Sequence, residues 1–281
     1  MWPLQNTDRL VIFYMVEKID GKKIAKEVKD IITSAIYELK GPRPNLAIIL
    51  VGEREDSKLY VSLKEKEAVS VGIDTHTYRL DEKISEEELL KVIDFLNADV
   101  AVDGILIQLP LPSHLDADKV ISALDPKKDV DGFHPEHPDY IISPVLAAIT
   151  ACLREIKFSG KGKSACVFYN SEVFGLAAQT VLAKDGFSIL PADKSEEADV
   201  LVSALGSPLS VTSAVIKDKA VLIDIGTTKV EERVLGDVDY ESVKDKAAYL
   251  TPVPGGIGPM TIAFLFKNVF EIFKRRHSLQ A

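Results

Sequence analysis

Tyr60 and Lys64 stand four residues apart in EDSKLYVSLKEKEAVSVG, residues 55–72, so a helix there carries them on one face. Two readings of that face stay open. Either the lysine is solvated beside a half-buried tyrosine, or it is desolvated, loses part of its charge and works as a base or water activator near neutral pH. Gln108 opens QLPLP, a neutral polar group at a strand end followed by two prolines. Taken alone, it is a turn residue or a ligand contact. In KKDVDGFHP, Asp129 and Asp131 lie two apart before a glycine. They form an Asp-rich turn, or one of them accepts N–H bonds from a heterocycle. His134 and His137 are three apart but flanked by prolines, with no third ligand evident, so no metal site is assigned. The most specific stretch is TPVPGGIGPMT, Thr251 to Thr261, with three glycines and three prolines in eleven residues. Its glycines permit positive φ and close backbone approach to a ligand. Pro259 suits the first residue of a following helix, whose start presents free N–H groups. The stretch reads as a ligand loop.

Ligands of open parallel sheets lie past the carboxyl ends of strands, so these residues need strand and helix ends to place them. The chain supplies both in alternation. Helical spacing covers KKIAKEVKDIITSAIYEL, and the apolar run NLAIILVG, closed by Gly52, reads as a buried strand. The Tyr60–Lys64 helix stops at Gly72, and THTYRL is a strand. SEEELLKVIDFLNA opens on Ser85 as N-cap with acidic residues in its first turn. DGILIQLPLP is a strand ended by its prolines, and LDADKVISAL is a helix. The pattern then restarts with the strand KSACVFY, the helix EVFGLAAQTVLAKDG ending on Gly186, the strands FSIL, ADVLVSALG and AVLIDIG, and the closing helix GPMTIAFLFKNVFEIFKRR. Repeated β-α-β units imply parallel sheets with helices on both faces. The polar KFSGKGKS marks a division near residues 153–163. Val167 to Leu182, VFYNSEVFGLAAQTVL, has the strand–turn–helix layout of a dinucleotide-binding turn. Tyr169 and Asn170 stand where a phosphate-cradling turn wants glycine.

The 281 residues suit two ordinary domains or one large one. With 27% charged and 46% hydrophobic residues, a soluble globular protein is expected. The net charge of −9 argues against a nucleic-acid partner. Cys152 and Cys166 match no metal or redox spacing and read as buried thiols in a reducing compartment. The apolar run Leu10–Val16 is far shorter than the roughly 20 residues of a membrane span. No secretion signal accompanies it. Residues 1–14 read as an extension outside a fold that starts near Met15.

Taken together, YVSLKEK, GILIQLPLP, KDVDGFHP, LIDIG, GDVDY and TPVPGGIGPMT come in the order and spacing of one family. The chain resembles the methylenetetrahydrofolate dehydrogenase/methenyltetrahydrofolate cyclohydrolase family, the bifunctional FolD-type enzymes, over roughly residues 16–275. The resemblance implies an α/β fold of two domains facing across a cleft. A three-layer folate-binding catalytic domain would span residues 15–153 with the returning closing helix, 258–276. A Rossmann-type NAD(P) domain would span 154–257. It further implies a cytoplasmic homodimer, a folate substrate, NADP as cofactor and no metal. Lys64 matches the catalytic lysine, Tyr60 the folate-stacking tyrosine, Gln108 the glutamine that tunes the lysine, and Asp131 the aspartate that holds the pterin ring. Ile107 and Leu109 flank Gln108 in the matching strand end. Pro254, Gly255, Gly256, Ile257, Gly258, Pro259, Met260 and Thr261 match the folate-contacting loop. The implied chemistry is hydride transfer from 5,10-methylenetetrahydrofolate to the nicotinamide, then hydrolysis of the methenyl cation to 10-formyltetrahydrofolate.

The departures cluster on the nucleotide side. Where the family has V-V-I-G-R-S-x-x-V-G-x-P, this chain has VFYNSEVFGLA after Cys166. Tyr169 replaces the glycine, Asn170 the arginine and Ala177 the proline, while Ser171 and Gly175 remain. Asparagine cannot make the bidentate charged pair that arginine makes with a 2′-phosphate. A tyrosine at the turn glycine is expected to occupy the space of the pyrophosphate, and Glu172 adds negative charge there. Asp193, past the second strand, could hold the ribose of NAD, whereas Lys194 could serve a phosphate. Thr227 stands in the segment Gly226–Thr228 that replaces the family's G-I-N. On the folate side, IISPVL, Ile141 to Leu146, replaces P-C-T-P-x-G. Three outcomes remain open at this point: a bifunctional enzyme with weakened or NAD-shifted cofactor binding, a cyclohydrolase alone, or a non-catalytic folate-binding homologue.

Overall fold

The structure, a computed structural model, describes residues 16–278. The expected extension at residues 1–14 lies outside them. The chain enters through a short strand, β1 (Glu17–Lys18), and a helix, α1 (Gly21–Tyr37). Asp20 caps α1 by accepting from the N–H groups of Lys22 and Lys23 at 3.0 and 3.1 Å. Then follow β2 (Asn45–Val51), α2 (Glu55–Val71), β3 (Asp74–Leu80), α3 (Glu86–Ala98), β4 (Gly104–Ile107), α4 (Ala117–Ser122) and α5 (Pro144–Glu155). The second run is β5 (Ser164–Tyr169), α6 (Glu172–Lys184), β6 (Ser188–Leu190), β7 (Val200–Ala204), β8 (Val221–Asp224), β9 (Thr228–Val230), β10 (Arg233–Leu235), α7 (Tyr240–Val243), β11 (Tyr249–Leu250) and α8 (Ile257–Arg276).

These elements form two compact units. One comprises Asp20–Lys157 and the closing stretch from Gly255 onward. Its parallel sheet has the order β3-β2-β4. Residues 128–130 run on beside β4, with the Ile105 N–H donating to the Lys128 carbonyl at 2.7 Å. β2 is apolar on both faces because both are covered. Leu46, Ile48 and Leu50 pack with Ile32 and Ile36 of α1, Val61 and Val71 of α2, and Phe266, Val269, Phe270 and Phe273 of α8. The alternate residues Ala47, Ile49 and Val51 pack with Leu89, Ile93 and Leu96 of α3. α3 carries the full capping box, Ser85 and Glu88 each bonding the other's backbone N–H. α2 ends where Gly72 turns left-handed, at φ +85°.

The start of α1 lies against the glycine loop that precedes α8. A Cβ on Gly21 would sit 1.9 Å from the carbonyl oxygen of Gly256, with no flexible side chain to yield. We expect Gly21→Ala to destabilise the protein by about 3 kcal/mol, since backbone must move to admit it. A urea unfolding midpoint lowered at unchanged m-value checks this.

The other unit comprises residues 16–19 and Phe158–Pro254. Its six strands are all parallel, in the order β1-β11-β8-β7-β5-β6. Chain order reverses between β5 and β7, which places the switch point of a doubly wound sheet at the end of β5. β9 and β10 form a separate antiparallel hairpin. Two expectations are corrected. β1, placed by sequence with the first domain, pairs with β11 in the second unit. α8 starts at Ile257, so Pro259 is its third residue and not its first. Proline is still tolerated there, because first-turn N–H groups lack intrahelical partners.

Candidate active site

α2 presents Ser57, Tyr60 and Lys64 at spacings of three and four, on one face. The Lys64 Nζ donates to Gln108 Oε1 at 2.9 Å. Gln108 is the first residue past β4, and its N–H continues the sheet by bonding the Ile49 carbonyl at 2.9 Å. Its Nε2 donates to the Leu109 carbonyl at 2.7 Å, which turns the amide so that its oxygen faces the lysine. A neutral acceptor holds the amine without demanding its charge. Burial lowers the Lys64 pKa below the ordinary lysine range, and the negative charge of Asp131 opposes this. Burial pushes Asp131 up to about 6, with Lys64 pulling it down and Asp129 pushing it further up.

The alternatives for the Asp pair resolve by role. Asp129 builds the turn: its Oδ1 accepts from the Asp131 N–H at 3.0 Å and its Oδ2 from the His134 N–H at 2.7 Å. Among the described residues no hydrogen bond reaches the Asp131 carboxylate, which leaves it for a ligand. His134 is buried, with Nδ1 accepting from the Glu136 N–H at 3.0 Å and Nε2 beside the Ser122 carbonyl at 3.2 Å. His137 Nδ1 lies 3.2 Å from the Pro138 carbonyl. Among the described residues no group of three potential metal ligands occurs.

Tyr60 is 45% exposed, so its ring is available for stacking. In the glycine loop Gly255 has φ +109°, a conformation that glycine accepts without strain. Gly256 leads into α8 without a side-chain cap, and the Thr261 hydroxyl bonds the Gly258 carbonyl at 2.7 Å. The helix start therefore keeps free N–H groups for a ligand. Ile107, Ile257 and Met260 point into the core, so a ligand could reach only their backbone. Leu109 and Pro259 are half-buried. Sequence reasoning missed Ser57, a buried residue two turns before Lys64 whose hydroxyl has no hydrogen-bond partner. Its spacing from Lys64 was the available signal.

The nucleotide half has its own geometry. Tyr169 is folded against Gly175: a Cβ there would lie 2.4 Å from the ring. The clearance that this glycine provides is thus taken by the chain's own side chain. Asn170 Nδ2 donates to the Leu205 carbonyl at 2.9 Å, and Ser171 caps α6 through the Phe174 N–H. A cavity of about 560 Å³ at the ends of β5 and β6 is lined by residues that include Tyr169, Gln179, Pro191, Ala192 and Leu205. Its mostly apolar wall and the capped helix start beside it suit the adenosine end of a dinucleotide. No lysine or arginine lines it. Asp193 follows Ala192 at the rim and is exposed, as is Thr227, whose hydroxyl bonds the Ile225 carbonyl at 3.3 Å.

Two buried carboxylates shape the neighbouring strand ends. Asp237 accepts from Ser203 Oγ at 2.8 Å and from the N–H groups of Leu205 and Ser207 at 2.7 and 2.8 Å. Asp224 accepts from the N–H groups of Gly226, Asp237 and Val238 at 2.9, 3.1 and 2.9 Å. Burial still pushes Asp224 up to about 6. A Cβ on Gly226 would meet the Asp237 carboxylate at 2.3 Å, and one on Gly236 the Asp224 carboxylate at 2.1 Å. The LIDIG and GDVDY stretches thus have a physical basis in these contacts, and the sequence reading assigned neither aspartate a role.

The family model described as tetrahydrofolate dehydrogenase/cyclohydrolase, catalytic domain, matches residues 19–131, and that for the NAD(P)-binding domain of the same proteins matches residues 144–277. The chain belongs to this tetrahydrofolate dehydrogenase/cyclohydrolase family. A bifunctional protein FolD from a Sulfurihydrogenibium species is 41% identical over 278 residues, covering 92% of this chain and 98% of the relative. The crystal structure of the bifunctional FolD enzyme from Campylobacter jejuni superposes with a TM-score of 0.89 at 33% identity, over 93% of this chain and 99% of that one. The Trypanosoma brucei FolD, solved with NADP cofactor and inhibitor, gives 0.88 at 33% identity over 95% and 99%. Family membership accounts for the order of the motifs.

Proposed function

We propose that this chain oxidises 5,10-methylenetetrahydrofolate to 5,10-methenyltetrahydrofolate with NAD(P)⁺ and hydrolyses that product to 10-formyltetrahydrofolate. The observation that carries the reading is the Lys64–Gln108 contact at 2.9 Å, with the ionisable Asp131 near enough to act on the lysine's charge. Tyr60 stacks on the folate, and the Asp131 carboxylate accepts N–H bonds from the pterin ring. Bound nicotinamide supplies the hydride acceptor. Lys64 then takes one proton from the water that attacks the methenyl carbon and passes it to solvent; the new C–O bond forms, and as the ring C–N bond breaks the second water proton goes to the freed ring nitrogen, leaving the formyl C=O. The protein contributes positioning and electrostatics. We assign folate to the unit with α2 and α8, and the dinucleotide to the unit with β5–β8.

The cofactor is NAD in preference to NADP. The cavity wall offers no cation for a 2′-phosphate, and the acidic Asp193 at its rim suits a free ribose hydroxyl. Asn170, Ser171, Gly175 and Thr227 would line the rest of the dinucleotide's path. The homodimer expected of the family is proposed through α6, where Val173 and Leu176 are 82% and 54% exposed. Two free buried thiols fit the reducing cytoplasm. No described helix is long and apolar enough to cross a membrane.

The deciding experiment follows methylenetetrahydrofolate oxidation with NAD⁺ and NADP⁺ in parallel. We expect turnover with NAD⁺ to exceed turnover with NADP⁺ by about tenfold or more in kcat/KM, the loss of one charged phosphate contact. The reverse preference would remove Asp193 from its role. No turnover with either in folded protein would leave the cyclohydrolase alone, with the ring of Tyr169 marking a lost site.

A further inference from the structure

We propose that Asn268 is the positioning residue that sets Asp131 for its substrate, by clasping both ends of the loop that carries this carboxylate. The inference rests on the folate reading of Asp131. Asn268 lies in the middle of α8 and is 6% exposed. Its Nδ2 donates to the Val130 carbonyl and to the Ile142 carbonyl, each at 2.8 Å. An amide nitrogen carries two hydrogens, so both are spent, one on each end of the loop. Residues 131–141 run between those two carbonyls, and Asp131 is the first of them.

The loop has turns of its own, and His134 Nε2 lies 3.2 Å from the Ser122 carbonyl of α4, but none of these contacts joins its two ends. Asp129 holds the Asp131 and His134 N–H groups, the His137 N–H bonds the His134 carbonyl at 3.0 Å, and the Ile141 N–H bonds the Pro138 carbonyl at 2.9 Å. Closure of the base comes from α8. A second contact from the same helix face reinforces it: the Arg275 guanidinium lies 4.0 Å from the centre of the Tyr140 ring, seven residues past Asn268. α8 also begins in the glycine loop, so one rigid helix holds two walls of the folate site. A carboxylate that must meet fixed N–H donors tolerates only about 0.5 Å of error. Lys64 and Gln108 stand on α2 and at the end of β4, and Asn268 makes no hydrogen bond to either. Loss of the clasp therefore acts first on substrate binding, and reaches Lys64 only through the charge of Asp131.

The test measures methenyltetrahydrofolate hydrolysis by Asn268→Leu, which keeps the branched side-chain skeleton and removes both donors. We expect KM to rise about tenfold or more with kcat within about threefold, because binding and not proton transfer is disturbed. In an Asp131→Asn background the same change should add less than about twofold to KM, since the residue it positions is already gone. Amides of residues 131–141 should exchange with solvent faster in Asn268→Leu than in the parent. Should Asn268→Leu not fold, Asn268→Ser, which keeps one donor, is expected to give an intermediate KM. A lowered melting temperature with KM unchanged would overturn the proposal, as would a KM effect that multiplies in full with Asp131→Asn. If Asp131→Asn alone left KM unchanged, the folate reading of Asp131 would fall, and unchanged exchange of residues 131–141 would sink the clasp separately.

Discussion

Lys64→Ala is expected to abolish methenyltetrahydrofolate hydrolysis, by about a thousandfold or more, the scale of a lost general base. The effect is this large because nothing else at the site can take the proton. Gln108 is neutral, Asp129 is committed to its turn, and Asp131 is reserved for substrate. The assay is the loss of methenyl absorbance in protein of unchanged circular dichroism, and retained hydrolysis would remove Lys64 from its role. The same mechanism fixes the shape of the pH profile. The neutral amine is the active form of Lys64, so the rate rises with pH. Burial lowers the lysine pKa, which moves that rising limb below the ordinary lysine range of about 10.4. Ionised Asp131 accepts N–H bonds on both oxygens and more strongly than the protonated acid does. With its pKa pushed up to about 6, KM should climb as pH falls through that value, where an ordinary aspartate would still be charged.

Lys128→Met is the variant expected to cost the most stability, about 3–5 kcal/mol, the range for stripping the partner from buried polar groups. Lys128 is 2% exposed and its Nζ reaches the end of α3. Its Nζ donates to the carbonyls of Leu96, Asn97 and Asp99 at 2.9, 2.8 and 2.7 Å, which uses all three hydrogens. These are the carbonyls that a helix end leaves without partners, and they also carry the negative end of the helix dipole. Burial holds the lysine's pKa down, so the ammonium is retained by those carbonyls against its desolvation. Methionine keeps the stem and abandons three acceptors. Guanidinium unfolding gives the difference directly, and a loss below about 1 kcal/mol would mean that water replaces the ammonium. Because Asp129 and Asp131 follow in the next three residues, the variant should also weaken folate binding.

What the sequence disclosed, and what it withheld, follows from range. The α2 face was legible because Tyr60 and Lys64 obey helical spacing, and Ser57 was legible by the same rule but went unread. The turn around Asp129 was legible as an Asp-rich turn, yet only the structure separates Asp129 as builder from Asp131 as the free carboxylate. Lys128 drew no reading from sequence, since burial of a lysine depends on carbonyls about 30 residues earlier in the chain. Asn268 was hidden for the same reason, its partners lying 138 and 126 residues away. α5 went unassigned although Pro144 at its first turn and the apolar residues Leu146, Ile149 and Leu153 were in view. β1 is two residues long, too short for alternation to reveal. The Tyr169 substitution was visible at once, but its resting place against Gly175 was not.

α8 carries a consequence for how the protein is made. Phe266, Val269, Phe270 and Phe273 complete the core around β2, yet they follow the whole of the second unit in chain order. The folate unit therefore waits while the entire dinucleotide unit is synthesised, with one face of its sheet covered by α1 and α2 but still lacking α8. The apolar surface that α8 will cover makes its nascent form a candidate client for chaperones that bind apolar segments. On the proposed role of Lys64, catalytic competence therefore waits for the synthesis of α8, however early α2 itself is made.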